Sequence, residues 1–237
     1  MNKIVKTNKS KSLKQKSIRS ISNKLQSVSL KHKIPANIYE EVVFLLDVSA
    51  SMGEEMTGGM KLDILKKAMI EVLTLYSKSS KFEVMSFSHS TNTLLKNMRS
   101  ENDLKEVINN IQTIGATYMG IAIKSAHDSL KRGSDKLKKR IVLVTDGEPN
   151  GDSPNMILEY VGNQIVRDKI TIDCVGIGEK GGYSYDPDFL SKIAIMTGGM
   201  FLEVNDISKL GEQLISISSD KKLLSNDNIK QTGCIIL

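Results

Sequence analysis

The sequence has little cysteine and no long apolar run, and each shortage excludes a class of protein. Two cysteines, Cys174 and Cys234, among 237 residues are too few for a disulfide framework. No run approaches the roughly 20 apolar residues that are needed to span a bilayer. The amino terminus is positively charged but lacks the apolar core of a secretory signal. We therefore expect an intracellular, cytoplasmic protein in a reducing environment.

Acidic residues are absent from the first 39 residues, which hold ten Lys and Arg. Residues 40–237 hold the other 23 of the 33 basic residues and all 27 acidic residues. Their net charge is therefore −4, although the net charge of the whole chain is +6. A mildly acidic body disfavours a nucleic-acid groove, and no specific nucleic-acid partner is expected. The composition of residues 1–38 predicts a basic, largely disordered arm.

From residue 40 onward, short apolar runs alternate with helical patterns. The runs at 42–46, 141–144 and 174–177 are nearly unbroken, as strands buried on both faces of a parallel sheet are. Residues 81–88 and 91–97 are separated by two residues and predict a hairpin. A sixth strand is predicted at 200–204. Helical patterns lie between these strands, at about 60–79, 101–111, 118–132, 154–168, 187–196 and 206–218.

This alternation predicts an α/β fold, doubly wound, with a mostly parallel six-stranded sheet, one antiparallel strand and helices on both faces. The share of hydrophobic residues, 40%, is enough for one globular domain with a sizeable core. We assign this domain to residues 39–219. Residues 220–237 are predicted to form a flexible tail that ends in the apolar sequence CIIL.

Polar side chains follow two of the predicted strands directly. Asp47, Ser49 and Ser51 come after the first strand, and Asp146 comes after the strand at 141–144. Thr117 lies in a glycine-flanked loop just before a helix. Ligands of doubly wound sheets bind at the carboxyl ends of the strands. Two carboxylates and three hydroxyls form a set of hard oxygen ligands that suits Mg²⁺ or Mn²⁺.

Three segments, DVSAS (47–51), GATYMG (115–120) and TDGEPN (145–150), resemble the metal-ion-dependent adhesion site of the von Willebrand factor type A family. In that family the motif is Asp-x-Ser-x-Ser, then Thr, then Asp. Residues 186–204 also resemble the last helix and strand of the family. The resemblance extends over about residues 40–218 and implies the family's α/β fold.

The resemblance implies a role for each of the five motif residues. Ser49, Ser51 and Thr117 would place hydroxyls on the ion, whereas Asp47 and Asp146 would act mainly through water. One coordination position would be left for an Asp or Glu carboxylate of a protein partner. The resemblance therefore implies a cation-dependent protein-interaction module with Mg²⁺ or Mn²⁺, and no enzyme. Such an ion, with only two carboxylates near it, stays electrophilic enough to attract another acid.

Two other interpretations of the same residues stay open. Asp47, Ser49 and Ser51 are also residue types that cap a helix or close a turn. An Asp after the first strand is also found in Mg²⁺-dependent phosphatases of the haloacid-dehalogenase type, where it is the nucleophile. That class requires a second acid at the position of Ser49 and a positioned lysine, and the sequence assigns neither. A phosphate-binding loop of the G-x-x-x-x-G-K-[ST] type is absent.

The two ends suggest contact with a membrane. The last four residues, CIIL, fit the pattern for prenylation of Cys234, provided that the cell has prenyltransferases. The basic arm would supply the second signal that stable anchoring to an anionic membrane surface requires. The same arm also fits an organelle-targeting segment, a nonspecific nucleic-acid arm or a solvated tail.

Overall fold

The computed structural model describes residues 40–76, 81–97, 100–178 and 185–218. Six strands form one sheet in the spatial order β5-β4-β1-β6-β7-β8. The predicted arm at 1–38 and tail at 220–237 lie outside the described residues, so their boundaries stay predictions. The strands of the main sheet are β1 (Glu40–Asp47), β4 (Lys81–Phe87), β5 (Thr91–Lys96), β6 (Lys138–Thr145), β7 (Ile170–Ile177) and β8 (Phe201–Val204).

All neighbouring strands of this sheet run parallel except β5, which pairs antiparallel with β4 through the predicted hairpin. Helices cover both faces, and the predicted fold class is confirmed. None of the described helices is long and apolar enough to cross a membrane. The helices are α1 (Lys61–Tyr76), α2 (Glu101–Asn109), α3 (Met119–Lys131), α4 (Pro154–Tyr160), α5 (Pro187–Thr197) and α6 (Leu210–Ser218).

The apolar run of β1 is unbroken because both of its faces are covered. Phe44 and Leu46 belong to a cluster that includes the buried residues of α1, α2 and α6. Val43 and Leu45 point the other way and belong to a cluster with α3, α4 and α5. All four side chains are at most 1% exposed. Burying such side chains contributes about 1.5–3 kcal/mol each, so the central strand is held rigidly between the two layers.

The strand order reverses beside β1. The next two strands of the sheet along the chain, β4 and β5, lie on one side of β1. The last three, β6, β7 and β8, lie on the other side. Leu46 of β1 is level with Val144 of β6, so the carboxyl ends of these two strands meet at one edge. In doubly wound sheets this reversal point forms the crevice where ligands bind. It is also where the predicted polar residues lie.

The structure differs from the sequence prediction in three short segments. The helix expected at 154–168 is α4 followed by a π-helical turn at Val161–Ile165, which keeps both Val161 and Ile165 in the core. The helix expected from residue 206 begins instead with a 3₁₀ turn, where Asp206 accepts a hydrogen bond from the Ser208 amide. A small antiparallel pair, β2 (Glu55–Met56) and β3 (Gly59–Met60), was not predicted.

Candidate metal centre

Asp47, the last residue of β1, is fully buried at the crevice. Its Oδ1 accepts the Ser49 backbone N–H at 2.8 Å, and its Oδ2 accepts the Thr145 hydroxyl at 2.6 Å. The carboxylate therefore closes the turn after β1 and ties that turn to the end of β6. Burial raises the pKa of Asp47 to about 6, although the hydrogen bonds from Thr145 and Ser49 oppose the shift.

The two serine hydroxyls lie in a row with Asp146. Ser51 Oγ donates to Asp146 Oδ1 at 2.8 Å, and Ser49 Oγ is 3.1 Å from Ser51 Oγ. Ser51 uses its only hydroxyl proton on Asp146, whereas the Ser49 hydroxyl also hydrogen-bonds the Asp47 carboxylate and thereby lowers the pKa of that group. Ser49 precedes a 3₁₀ turn at Ala50–Gly53 but makes no side-chain capping bond there. Turn closure therefore accounts for Asp47, whereas the Ser51 side chain contacts Asp146, 95 residues away in the chain.

The loop before α3 brings Thr117 to the same place. Its backbone N–H donates to Asn150 Oδ1 at 3.0 Å, and its carbonyl accepts the Asn150 N–H at 2.7 Å, so the loop is fastened to the segment after β6. A Cβ on Gly147 would lie 2.9 Å from Thr117 Oγ1, closer than side chains ordinarily pack. The glycine after Asp146 therefore allows the threonine hydroxyl to approach. Thr117 is 4% exposed.

Lys61, the first residue of α1, also reaches this centre and was not predicted from the sequence. Its Nζ is 2.7 Å from Asp146 Oδ2, and 3.3 Å from both the Ser51 carbonyl oxygen and Glu54 Oε2. Burial would lower the pKa of Lys61, but the bond to Asp146 and the charges of Asp146 and Glu54 raise it. The ammonium is therefore held charged in a largely buried position. In the sequence, Lys61 looks like one of several lysines on a helix surface.

The oxygen spacings, which are those of hydrogen bonds, are also spacings that a small octahedral cation allows. Mg²⁺ binds oxygen at 2.0–2.1 Å in octahedral geometry, so neighbouring ligand oxygens lie about 2.9 Å apart. The two spacings in the row of Ser49, Ser51 and Asp146 are 3.1 and 2.8 Å. Across the described residues, no three His, Cys, Asp or Glu side chains are grouped as a metal site would require. Any cation here would therefore depend on hydroxyl ligands, as the sequence predicts.

Three other residues with ionisable side chains, Cys174, Asp63 and His127, have different surroundings. Cys174 is fully buried in β7, and burial strongly raises the pKa of its thiol, so it is a core residue. Asp63 is exposed on α1. His127 is a buried residue of α3, and its ring nitrogens lie 2.7 Å from the Tyr160 hydroxyl and 2.8 Å from Asp168 Oδ2. Cys234 lies outside the described residues, and its lipidation stays a prediction.

Comparison with known proteins shows which family the part of the chain that carries these residues is similar to. Residues 42–148 match the model of the von Willebrand factor type A domain family. An uncharacterised protein of Borreliella burgdorferi is 26% identical over 245 residues, which cover 89% of this chain and 71% of that protein. The inter-alpha-trypsin inhibitor heavy chain H4 of Bos taurus is 27% identical over 194 residues, covering 76% of this chain but only 20% of the bovine protein.

Solved structures agree on the fold. The von Willebrand factor type A structure from Catenulispora acidiphila superposes with a TM-score of 0.60 over 77% of this chain and 42% of that one. Its sequence identity to this chain is 20%, so the likeness concerns the fold alone. The match to the family model spans β4, β5, β6 and nearly all of β1, and so includes the two strand ends that meet at the crevice.

Proposed function

Because this chain is similar to the von Willebrand factor type A domain family, we propose that it binds a protein partner through a divalent cation held at the crevice. Domains of this family are generally protein-interaction modules. The observation that carries the proposal is the row of oxygens from Ser49, Ser51 and Asp146, spaced at 3.1 and 2.8 Å. Ser49, Ser51 and Thr117 would hold Mg²⁺ or Mn²⁺, with Asp47 and Asp146 behind them.

A bound Mg²⁺ would supply an electrophilic position for an Asp or Glu carboxylate of the partner. Within the chain, Asp47 and Thr145 fix the end of β1 against the end of β6, which keeps the serine hydroxyls in place. The Asn150 side chain and backbone hold the Thr117 loop over the same point. Three separate segments of the chain are therefore held in position before any ligand arrives, which lowers the cost of ordering them on binding.

The surface around the crevice favours a protein over a small molecule. Four of the seven large apolar side chains that are exposed among the described residues lie within about ten residues of a site residue in the sequence. Ile114 is 58% exposed and precedes the Thr117 loop, and Met156 is 58% exposed on the first turn of α4. Ile121 on α3 and Met60 beside Lys61 are the other two. Exposed apolar groups around a polar centre are typical of protein-interaction surfaces.

Partner capture with and without metal tests the proposal. The chain is used as bait in Mg²⁺ and in excess chelator, alongside the Thr117→Ala and Asp63→Asn variants. We expect capture by the wild type and D63N in Mg²⁺ only, and none by T117A, which removes one hydroxyl from the site. Asp63 is the matched control, because it is an exposed carboxylate on the neighbouring helix. Capture that persists in chelator would exclude a metal bridge.

The phosphatase alternative has no support from the family model or from the relatives reported above. Lys61 does supply a lysine in the crevice, which the sequence analysis lacked. Both oxygens of Asp47, however, are occupied by the Ser49 amide and the Thr145 hydroxyl, and the side chain is fully buried. A nucleophile needs a free oxygen facing its substrate. Hydrolysis of a generic phosphoester in Mg²⁺, lost in Asp47→Asn, would revive this alternative.

We also propose that the basic arm and the adjoining end of the domain contact an anionic membrane surface. Glu40, the first residue of β1, is level with Lys138 of β6, and the basic segment KRGSDKLKKR, residues 131–140, leads into this end of the sheet. Lys131, Arg132, Lys136 and Lys138 are exposed there. Basic clusters of this kind bind anionic headgroups. This end of the sheet is opposite the crevice, which would leave the crevice facing away from the membrane.

A further inference from the structure

Lys61 is built into the centre and is not a surface lysine that happens to reach it. Its backbone N–H donates to the Glu54 carbonyl at 3.1 Å, which fixes the start of α1 beside the crevice. Its side chain is only 7% exposed, and its Nζ is 2.7 Å from Asp146 Oδ2. A lysine that gives up its hydration and side-chain freedom in this way must interact favourably with its surroundings.

The two oxygens of Asp146 have different neighbours. Oδ1 accepts the Ser51 hydroxyl and belongs to the row of Ser49, Ser51 and Asp146 oxygens, whereas Oδ2 accepts the Lys61 ammonium. Lys61 therefore contacts the carboxylate from its outer side without taking the oxygen that belongs to the row. Glu54, the other acid near Lys61, is 67% exposed on its side chain, so solvent screens its charge.

This arrangement leaves the centre short of negative charge. Asp47 and Asp146 contribute two negative charges, and Lys61 contributes one positive charge. The net charge of these three buried side chains is therefore about −1. A divalent cation would keep about one positive charge uncompensated in a site of low dielectric constant, where that charge matters more than in water. A carboxylate from outside would neutralise it.

On the basis of the function proposed above, we propose that Lys61 is a charge-balancing residue that weakens binding of the cation alone and strengthens binding of an acidic partner to the cation-loaded site. The cation and the acidic group then bind cooperatively, each increasing the affinity for the other. An unloaded domain would have little affinity for acidic proteins, and a loaded one would bind them tightly.

Two simpler roles for Lys61 predict different results. If Lys61 only holds Asp146 in place, its removal weakens cation binding. If Lys61 only competes with the cation for Asp146, its removal strengthens cation binding and leaves the effect of a carboxylate unchanged. The charge-balancing role alone predicts that removal of the lysine strengthens cation binding and reduces the benefit from a carboxylate.

Titration calorimetry with Mn²⁺ separates these roles, with acetate as the carboxylate probe. The full chain is titrated in chloride and in acetate at equal ionic strength. The variants are Lys61→Met, Lys61→Gln, Lys61→Arg and, as a matched control, Lys67→Met on the exposed face of α1. Thermal unfolding in chelator identifies any variant that fails to fold. Because acetate binds free Mn²⁺ equally in every sample, only ratios between variants are compared.

We expect K61M and K61Q to bind Mn²⁺ at least about tenfold more tightly than the wild type in chloride, as removal of a nearby positive charge predicts. Acetate should increase the Mn²⁺ affinity of the wild type, K61R and K67M by a larger factor than that of K61M and K61Q. Weaker Mn²⁺ binding by both K61M and K61Q, or an unchanged acetate effect, would overturn the inference. Absence of Mn²⁺ binding by the folded wild type would instead overturn the proposed function.

Discussion

At the scale of single residues, Asp47 combines an ionisable carboxyl group with a fully buried position. It is fully buried, and burial raises its pKa to about 6 from an ordinary value of 3.8. Below about pH 4 the carboxyl is protonated in both the folded and the unfolded chain, so its ionisation does not change the free energy of unfolding. Above about pH 6 it is ionised in both, and the folded state bears a cost of about 3 kcal/mol.

The raised pKa of Asp47 predicts how the Asp47→Asn substitution changes the stability of the metal-free protein. An asparagine accepts the same Ser49 N–H bond and carries no charge. In chelator, we expect D47N to be more stable than the wild type by about 2–3 kcal/mol at pH 7, with the difference disappearing as the pH falls from about 6 to 4. Urea unfolding of both proteins across this range measures it. A difference that stays constant with pH would mean that Asp47 titrates normally.

Gly147 offers a test of the Thr117 position that leaves every ligand group in the chain. A Cβ at this residue would lie 2.9 Å from Thr117 Oγ1, so Gly147→Ala must push the hydroxyl away from Asp146. We expect G147A to lower Mn²⁺ affinity by at least about tenfold with a loss of stability of about 1–2 kcal/mol. Calorimetry and thermal unfolding give the two values. Gly120→Ala would contact Asp152 instead and is the comparison variant.

The sequence was informative about residues whose neighbours are fixed by the fold class. Asp47 and Asp146 directly follow apolar runs, and parallel strands bring such ends together, so their proximity could be predicted. Lys61 could not, because its contact with Asp146 spans 85 residues and depends on where α1 begins. That start depends in turn on the small β2–β3 pair, in which Gly58 and Gly59 adopt positive φ. Two-residue strands produce no detectable hydrophobic period.

At the scale of elements, the strands were predicted better than the helix ends. The strands β1, β6 and β7 are buried on both faces, and burial on both faces requires an unbroken apolar run. Helix ends depend on single capping contacts. The start of α5 at Pro187 follows from Asp186, whose side chain accepts the Phe189 N–H at 3.0 Å. The π-helical turn after α4 has no such signal in the sequence.

The turn from α5 to β8 provides a prediction at this scale. Gly198 ends the helix at φ 71°, and a Cβ there would meet no atom within 4 Å. A Cβ on Gly199 would lie within overlap distance of the Ile172 carbonyl of β7. We expect Gly199→Ala to destabilise the fold by at least about 3 kcal/mol and Gly198→Ala by only about 1 kcal/mol. Equal losses in urea unfolding would contradict the close approach of this turn to β7.

At the scale of the whole molecule, charge is separated along the chain. The first 39 residues hold ten basic residues and no acid, whereas residues 40–237 sum to −4. Within the domain, exposed basic residues concentrate at 131–138, at the end of the sheet where β1 begins. The crevice lies at the opposite end, where β1 and β6 finish. The two proposed activities therefore depend on opposite ends of the sheet. Membrane contact depends on surface charge, whereas partner binding depends on a bound cation.

This separation predicts that the two activities respond to different treatments. Binding to phosphatidylserine vesicles should fall steeply as salt increases and should be indifferent to chelator, because it depends on screened surface charge. Partner capture should fail in chelator. Arg132→Glu combined with Lys136→Glu should weaken vesicle binding by about tenfold or more, since each basic residue near the membrane contributes about 1 kcal/mol. The double variant should still capture the partner in Mg²⁺.

The matched control reverses the same number of charges elsewhere on the domain, at Lys67 and Lys192, which are exposed on α1 and α5. If net charge alone governed binding, both double variants would lose vesicle affinity equally. If the basic end of the sheet faces the membrane, only R132E/K136E loses it by the larger factor, because headgroup attraction decays within about 8 Å at physiological salt. Equal loss in cosedimentation would leave membrane contact to the arm alone and would remove any preferred orientation of the crevice.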